Sequence, residues 1–267
     1  MKIIAVCLLL LVCFQSHASL LITPTRIAFD DRQRVTKVTL INNSDESKTY
    51  RMSFQEKLAL KTGGYSNFAN PKSNLMAASS YLRMSPKQVI LGPGERQVVK
   101  LALRKRANMA EGEYRSHLLF SALPSASKKQ ASASSEGGIK INLIMSYSIP
   151  VLFRVGSEKP TVSLENVDLV NTEQGGQRIE LVLNRLGKYS SFGRLEAFWQ
   201  ADGSVTAQLV STLSKFSVYP ELNQRAVALD IPKHLAIEPP GTLTIKYLGD
   251  EEYQGQTFIN DTVKLSK

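Results

Sequence analysis

Apolar and polar residues alternate along most of the chain, and this period of two is typical of β-strands that bury one face. Turn sequences such as "NNSD" at 42–45 and "GPGE" at 92–95 separate the alternating segments. The strands predicted in the first half are Leu20–Phe29, Val35–Asn42, Lys48–Glu56, Lys87–Leu91, Gln97–Arg104, Glu113–Ala122 and Ile139–Arg154. Those predicted in the second half are Thr161–Val170, Arg178–Leu186, Arg194–Gln200, Gln208–Tyr219, Arg225–Ile231, Leu243–Leu248 and Phe258–Lys264.

This spacing, with about seven short strands in each half, is the signature of β-sandwiches of the immunoglobulin type. We therefore expect an all-β fold class, with two immunoglobulin-like β-sandwich domains in tandem. The alternation pauses near "VGSEKP" at 155–160, which places an N-terminal domain at 19–155 and a C-terminal domain at 156–267. Two segments interrupt the pattern: 61–80 is predicted to be a long polar loop or insertion, and 125–138 is a low-complexity stretch.

The last strand of the first half, predicted at 139–154, is much longer than the usual strand of about 5–6 residues. Its odd positions are apolar, and the polar stretch "PSASKKQASASSEGG" precedes it. An exposed strand edge with an apolar row invites pairing with another chain, and an exported protein can use such an edge to recognise a partner by strand addition. The pattern leaves open the alternative that 139–154 is a central strand of the core.

The first residues, "MKIIAVCLLLLVCFQSHAS", have the features of a secretory signal peptide: a basic residue, an apolar run and small residues before the cleavage point. We expect cleavage after Ala18, so that residues 1–18 form the signal peptide. The apolar run is shorter than the ~20 residues that a membrane span needs, which disfavours a membrane anchor. Cys7 and Cys13 both lie in this segment, so the mature chain is expected to have no disulfide and no thiol chemistry.

The chain is basic, because 33 Lys and Arg residues against 23 Asp and Glu residues give a formal charge of +10. Removal of Lys2 with the signal peptide would leave +9. The basic residues are scattered, and no basic helix or zinc-finger motif accompanies them, which argues against a nucleic-acid partner. No later segment is long and apolar enough to be an integral membrane segment.

Residues suited to catalysis or metal binding do not cluster in the sequence. The histidines are His17, His117 and His234, and no HExxH, GxSxG, P-loop or dinucleotide-binding motif is present. The adjacent acids Asp30–Asp31 and Glu251–Glu252 would point to opposite faces of a strand, which makes them poor acid–base pairs. We therefore expect no enzyme, no catalytic residue, no metal site and no cofactor.

Four blocks, in order along the chain, resemble the PapD-like periplasmic pilus chaperones of the chaperone-usher pathway. These blocks are "TPTRIAFDD" at 23–31, "RMSPKQVILGPGERQVVKLAL" at 83–103, "EGEYRSHLLFSALP" at 111–124 and "INLIMSYSIPVLFRV" at 141–155. The segments "VYPELNQRAVALDIP" and "PPGTLTIKYLGD" are similar to the second domain of that family, though less distinctive. The resemblance covers essentially all of the mature chain, and its "EYRSHL" and "SIPV" are most similar to the archaic branch.

The resemblance implies a function in the periplasm. Chaperones of this family bind and stabilise pilus (fimbrial) subunits and deliver them to an outer-membrane usher. Each subunit is a sandwich that lacks its last strand, and the chaperone lends one of its own strands to fill the open groove. On this resemblance, Ile139, Ile141, Leu143 and Met145 would be the donor-strand residues in the groove of the subunit. The two sandwiches of the family are set at an angle, with a cleft between them.

In the family, this cleft is basic and holds the C-terminal carboxylate of the subunit. Arg26, in "PTRIAF", matches the arginine of the first strand, and the guanidinium fork suits a carboxylate; the alternative is an exposed strand charge. The second anchor of the family is a lysine on the donor strand, but Pro150 stands at that place here. Arg83 and Arg115 are candidates for the substitute. Arg154 matches a family arginine near the domain junction, and we expect it to be structural.

Two other classes of protein stay open. A secreted binding module, such as an adhesin or a carbohydrate-binding protein, would display aromatic residues on loops, whereas Trp199 lies on a predicted strand and is expected in the core. A structural pilus subunit would carry an N-terminal donor extension, whereas a predicted strand begins at Leu20. The sequence also leaves open whether the free chaperone self-associates to cover its apolar strand.

Overall fold

The computed structural model describes residues 19–30, 32–70, 74–124 and 145–266. The predicted signal peptide and the low-complexity stretch lie outside these residues, as do Ile139, Ile141 and Leu143. The described residues form strands and three short 3₁₀ turns, at Ser79–Tyr81, Lys233–Leu235 and Glu251–Tyr253. No helix in this part of the chain has the length and apolarity needed to cross a membrane.

The first domain packs two sheets face to face. One sheet contains, in order across it, β1 (Leu20–Thr23), β3 (Val35–Asn42), β9 (Arg96–Leu103) and β7 (Leu82–Ser85). The other contains β2 (Ile27–Phe29), β11 (Ser146–Val155), β10 (Gly112–Leu123), β4 (Lys48–Gln55) and β8 (Gln88–Leu91). Alternate residues of both sheets fill the core, where Val38, Leu101, Leu118 and Val151 are fully buried. Burial of each such side chain stabilises the folded chain by about 1.5–3 kcal/mol.

The second domain is built in the same way. One sheet contains β12 (Thr161–Asn171), β13 (Gln177–Leu186) and β16 (Gln224–Ile231), in that order. The other contains β15 (Gln208–Val218), β14 (Ser191–Ala201), β17 (Gly241–Gly249) and β18 (Thr257–Leu265). Leu195, Leu243 and Ile245 are fully buried between the sheets, and Trp199 is 7% exposed in the same core, as expected. The two tandem sandwiches confirm the predicted all-β fold class.

The segment predicted as one strand, Leu20–Phe29, is two strands on different sheets. β1 pairs with β3 in the first sheet, whereas β2 pairs in parallel with β11 in the second. Pro24 stands between them and has no backbone N–H to donate to a ladder, so the strand breaks there and the chain crosses to the opposite sheet. This crossing brings Arg26, at the start of β2, to the side of the first domain that faces the second.

The segment predicted as a polar loop at 61–80 contains a strand. Residues 57–67 form a hairpin in which β5 (Lys57–Ala59) pairs with β6 (Tyr65–Asn67). We call residues 57–67 the interdomain hairpin, because its tip contacts the second domain: the backbone N–H of Ala226 donates to the carbonyl oxygen of Lys61 at 3.0 Å. Ala59 is buried in the second hydrophobic core. The prediction of a polar loop or insertion missed β6, because a strand of three residues is too short for its alternation to be detected.

The chain passes between the domains at Gly156, which has φ of 101°. A Cβ atom at this position would lie 2.3 Å from the hydroxyl oxygen of Tyr189, so only glycine fits. The same hydroxyl donates to the carbonyl oxygen of Val155 at 2.6 Å. The end of β11 is therefore held against the second domain.

Candidate functional site

Three arginines of the first domain reach the second domain from the β2–β11–β10 sheet. Strand alternation explains their direction, because Ile27, Tyr114 and Phe153 point into the first core and the residue next to each of them points outward. Each guanidinium lies over an aromatic ring of the second domain. The distances to the ring centres are 4.0 Å for Arg26 and Phe192, 3.8 Å for Arg115 and Tyr219, and 4.9 Å for Arg154 and Tyr253. Cation–π contacts of this kind hold the domains together.

Carboxylates of the second domain neutralise the arginines nearest the domain junction. Arg26 donates to Glu252 through both terminal nitrogens, at 2.8 and 2.6 Å, and its Nη1 also donates to Glu251 at 2.8 Å. Arg154 donates to the same Glu252 at 2.9 Å. Two-pronged bonds between a guanidinium and a carboxylate are among the stronger hydrogen bonds in proteins, so this cluster is a firm link between the two domains.

The opposite charges of this cluster keep Arg26 and Glu252 ionised, although Arg26 is only 6% exposed. Burial on its own lowers the pKa of Arg26, but Glu252, Tyr219 and Glu251 raise it, and the pKa ends above its ordinary value. Burial on its own raises the pKa of Glu252, but Arg26 and Arg154 outweigh it and hold the pKa below its ordinary value. The Arg26–Glu252 pair is therefore ionised at neutral pH. The Nε of Arg26 is buried and has no hydrogen-bond partner within the described ranges.

The prediction that Glu251 and Glu252 point to opposite faces is wrong. They do not lie on a strand but in the 3₁₀ turn Glu251–Tyr253, between β17 and β18. Glu251 has the left-handed backbone conformation, with φ of 53°. In this turn the alternation of a strand does not apply, and both carboxylates therefore converge on Arg26.

Pro150 lies beside Arg26, as the resemblance implies. Ile27 pairs with Val151, so the residues that precede them, Arg26 and Pro150, are neighbours across β2 and β11. On its other side Pro150 pairs with His117 of β10. His117 is fully buried, and neither ring nitrogen has a hydrogen-bond partner among the residues that the structure describes. Burial lowers its pKa to about 3, with Arg115 and Lys57 contributing. His117 is therefore neutral and does not supply the second positive charge.

A cavity of about 410 Å³ lies between the domains, next to Arg26 and Pro150. Its lining residues include Thr25, Arg26, Tyr65, Pro150, Phe192, Lys215 and Glu251. Tyr65, from the interdomain hairpin, stacks edge-on over the His117 ring with 4.5 Å between ring centres, and its hydroxyl donates to that of Tyr219 at 3.0 Å. In the part of the chain that the structure describes, no group of three or more His, Cys, Asp or Glu side chains is placed to hold a metal ion.

The two candidates for the substitute anchor lie away from Arg26. Arg83 is exposed on β7, in the opposite sheet of the first domain, and donates to the carbonyl oxygen of Leu82 at 2.8 Å. Arg115 is ion-paired with Glu221 and donates to the carbonyl oxygen of Lys57 at 3.0 Å. It lines a different cavity, of about 360 Å³. The structure therefore brings neither residue to the cavity that contains Arg26.

The contacts of Arg154 are those of a residue that sets the angle between the domains. Its Nε donates to Glu113, its cross-strand neighbour on β10, at 3.0 Å. Its Nη2 reaches Glu252 of the second domain at 2.9 Å and the hydroxyl of Ser190 at 3.3 Å. Glu113 also accepts the Ser190 N–H, at 3.1 Å. These bonds join β10, β11 and two parts of the second domain.

The inward-facing side chains of β11 become more exposed toward its start. Phe153 and Val151 are fully buried, Ile149 is 4% exposed, Tyr147 is half-buried and Met145, just before β11, is 51% exposed. The second half of the strand is therefore part of the core. The apolar row leaves the core at Met145. In the sequence the row continues to the donor-strand residues that lie outside the described residues: Leu143, Ile141 and Ile139.

The two edges of β11 differ in how much of the strand is paired. β10 pairs with it along the whole length from Ser146 to Val155. On the other edge, β2 pairs only with Val151–Phe153. Within the described ranges no strand pairs with 146–150 on that edge. The backbone groups of this half are available to a strand from another chain.

No protein-family profile and no curated protein matches the sequence. Among solved structures, the CupB2 chaperone of Pseudomonas aeruginosa is similar, with a TM-score of 0.46, 13% identity, and coverage of 92% of this chain and 99% of that chain. A chain in the complex of SafA pilin with the SafB chaperone of Salmonella enterica has a TM-score of 0.46 and 12% identity, covering 93% and 97%. A chain in the CsuC–CsuE chaperone–tip adhesion subunit pre-assembly complex, from archaic chaperone-usher Csu pili of Acinetobacter baumannii, has a TM-score of 0.43 and 18% identity, covering 93% and 99%. At these scores the likeness does not establish what the chain does.

Proposed function

We propose that this chain is a periplasmic chaperone of the PapD-like family, which binds and stabilises pilus subunits and delivers them to an outer-membrane usher. The observation that carries the proposal is the start of β11, where an unpaired strand edge coincides with an apolar row that leaves the core at Met145. The four sequence blocks that resemble the family support the same function. The features of a signal peptide at 1–18 support a location in the periplasm.

The open edge of β11 would bind a subunit by strand addition. A subunit whose sandwich lacks one strand would receive Ile139, Ile141, Leu143 and Met145 in its groove and pair with the adjoining backbone. Each buried side chain contributes about 1.5–3 kcal/mol, and each net hydrogen bond about 0.5–1.5 kcal/mol. Association of the two proteins itself costs roughly 4–15 kcal/mol in lost translational and rotational freedom. Capture of the subunit therefore needs both the apolar row and the backbone edge.

The interdomain cavity would receive the C-terminal carboxylate of the subunit. Arg26 stays the proposed anchor from the first domain, because it lines the cavity and its guanidinium fits a carboxylate. Its Nη1 also binds Glu251, whose side chain is 49% exposed, and a carboxylate of the subunit would compete with Glu251 for this nitrogen. Arg154 and Arg115 act as links between the domains in this proposal. We assign no catalytic residue, no metal, no cofactor and no nucleic-acid partner.

Co-purification from periplasm tests the proposal. The chain is co-expressed with the pilus subunit encoded by a neighbouring gene, and the recovered complex is compared between the wild type and a Leu143→Glu, Met145→Glu double variant. We expect a stoichiometric complex with the wild type and none with the variant, because two carboxylates cannot enter an apolar groove. Circular dichroism checks that the variant is folded.

The matched control is an Asn142→Glu, Ser146→Glu variant, which adds the same charge on the opposite, polar face of the strand. This variant should still bring down the subunit. A wild-type chain that binds no subunit would contradict the chaperone function, and a glycan screen would then test the binding-module alternative. Equal loss of binding in both double variants would contradict the use of one face of the strand.

A further inference from the structure

Lys215 has an unusual backbone conformation for a residue in a strand. It lies on β15, where the pairing with β14 shifts between Gly193↔Phe216 and Leu195↔Leu213. Two residues of β15 therefore stand opposite one residue of β14, which is a β-bulge. At the bulge Lys215 has φ of 56°, in the left-handed region that residues other than glycine seldom adopt. Bulges redirect a side chain, and this one turns Lys215 toward the first domain.

The Lys215 side chain crosses the gap between the domains. Its Nζ donates to the Oγ1 of Thr25 at 3.1 Å, and both residues line the cavity that contains Arg26. No carboxylate lies within 4 Å of this ammonium among the residues that the structure describes. Arg26, Arg115 and Arg154, in contrast, each have a carboxylate partner. The positive charge of Lys215 is therefore not neutralised by the protein.

Glu251 decides where an anion would bind in this cavity. Its carboxylate occupies the Nη1 of Arg26 and faces the same space, so it repels a second carboxylate from that side. Lys215, also on the second domain, lines the same cavity and offsets this repulsion. The arrangement favours one anion bound next to Lys215 and Thr25.

We infer that Lys215 and Thr25 complete, beside Arg26, the binding site for a carboxylate at the end of a bound polypeptide, with Lys215 supplying the second positive charge that Pro150 cannot supply from β11. This inference rests on the proposed function, and it adds that the second domain contacts the carboxylate directly. A polypeptide end held in this way touches both domains. Its binding therefore depends on the angle that Arg154 and Glu252 set.

The test uses two forms of the neighbouring-gene pilus subunit, one with its native C-terminus and one extended by Gly-Ser, which moves the carboxylate out of reach. The native form is tested for binding to the wild-type chain, Lys215→Met and Lys215→Arg. We expect Lys215→Met to weaken binding by about tenfold or more, the size of one charge-assisted hydrogen bond, and Lys215→Arg to restore most of it. Lys233→Met, on the far side of the second domain, is the matched control and should bind as the wild type does.

The extended subunit separates a role in anion binding from a structural role. It should bind the wild type as weakly as the native form binds Lys215→Met, and Lys215→Met should cause no further loss. Equal binding of the native form by wild type and Lys215→Met would overturn the inference, as would an equal loss with both forms. Failure of the wild type to bind either form would count against the proposed function instead.

Discussion

The domain interface and the start of β11 differ in whether their polar and apolar groups have partners within the chain. At the domain interface, Arg26, Arg115 and Arg154 each have an aromatic ring and a carboxylate as partners. At the start of β11, one backbone edge has no partner among the described residues, and Met145 is 51% exposed. In the first region each charge already has a partner of opposite charge in the chain, whereas the strand edge of the second region has no described strand beside it.

The difference separates the frame of the protein from its binding element. Buried charges that are fully paired hold an arrangement in place, because losing one partner leaves the other charge buried and unpaired. An unpaired strand edge has free backbone N–H and C=O groups, and it can therefore pair with a new strand. A substitution in the interface should therefore change stability first, and one at the start of β11 should change binding first.

Glu252→Ala should have the largest effect on stability. It removes the carboxylate that Arg26 and Arg154 share, so the buried Arg26 and the half-buried Arg154 both lose a partner. We expect the free energy of unfolding to fall by about 3–5 kcal/mol, nearer the lower value because Glu252 is 22% exposed. Urea unfolding followed by circular dichroism measures this change.

Glu251→Ala is the control for this substitution. The Glu251 side chain is 49% exposed, and exposed ion pairs contribute about 0–1 kcal/mol. A loss of stability as large in Glu251→Ala as in Glu252→Ala would show that the two neighbouring carboxylates have the same role. The distinction between a fixed and a displaceable partner of Arg26 would then be lost.

Ile149→Ala and Met145→Ala divide β11 at the point where the apolar row leaves the core. Ile149 is 4% exposed, so its truncation should cost about 2–5 kcal/mol of stability through lost burial and a cavity. Met145 is exposed, so its truncation should change stability by less than about 0.5 kcal/mol but should lower the yield of the subunit complex. Unfolding and co-purification of both variants provide the comparison. A destabilised Met145→Ala would place that residue in the core.

His117 makes stability depend on pH above the range in which carboxylates titrate. Burial holds its pKa at about 3, whereas an unfolded histidine has a pKa of about 6.5. The unfolded chain therefore binds a proton that the folded chain does not, and stability that is complete above about pH 6.5 falls as the pH is lowered. At pH 5 the loss should be about 2 kcal/mol.

His117→Leu should remove this loss, so its stability should change little between pH 7 and pH 5. Glu252 does not interfere, because its pKa is lowered in the folded chain and its contribution is lost only below the unfolded pKa of about 4.3. Urea unfolding at both pH values measures the difference. A wild-type chain with equal stability at pH 7 and pH 5 would mean that His117 has access to a partner or to water.

The fold was predictable because its signal is local and repeated. Strand alternation predicted the two sandwiches, whereas Arg26, Arg154 and the position of Pro150 were singled out by the resemblance to the family. The interdomain hairpin was not predictable, since each of its strands has only three residues. Lys215 was missed because its position depends on a bulge and on the angle between two domains, which no pattern within one strand contains.

The positions of Arg83 and Arg115 show the same limit. Both are basic residues in blocks that resemble the family, and the sequence could not rank them. Arg83 lies in the sheet opposite Arg26 because β7 pairs with β9. Arg115 pairs with Glu221 because the two domains pack together. Neither contact can be read from the local sequence. Long-range contacts of single charged side chains produce no repeating pattern in a sequence, so they cannot be predicted from its periodicity.

Hydrogen–deuterium exchange on the free chain and on its complex with the subunit tests the central claim most directly. In the free chain, amides of 146–149 should exchange faster than those of Val151–Phe153, which have strands on both sides. Binding of the subunit should slow exchange at 146–149 and leave Val151–Phe153 unchanged, because a new strand covers only the open edge. Slowed exchange elsewhere, with 146–149 unchanged in the complex, would contradict capture by this strand.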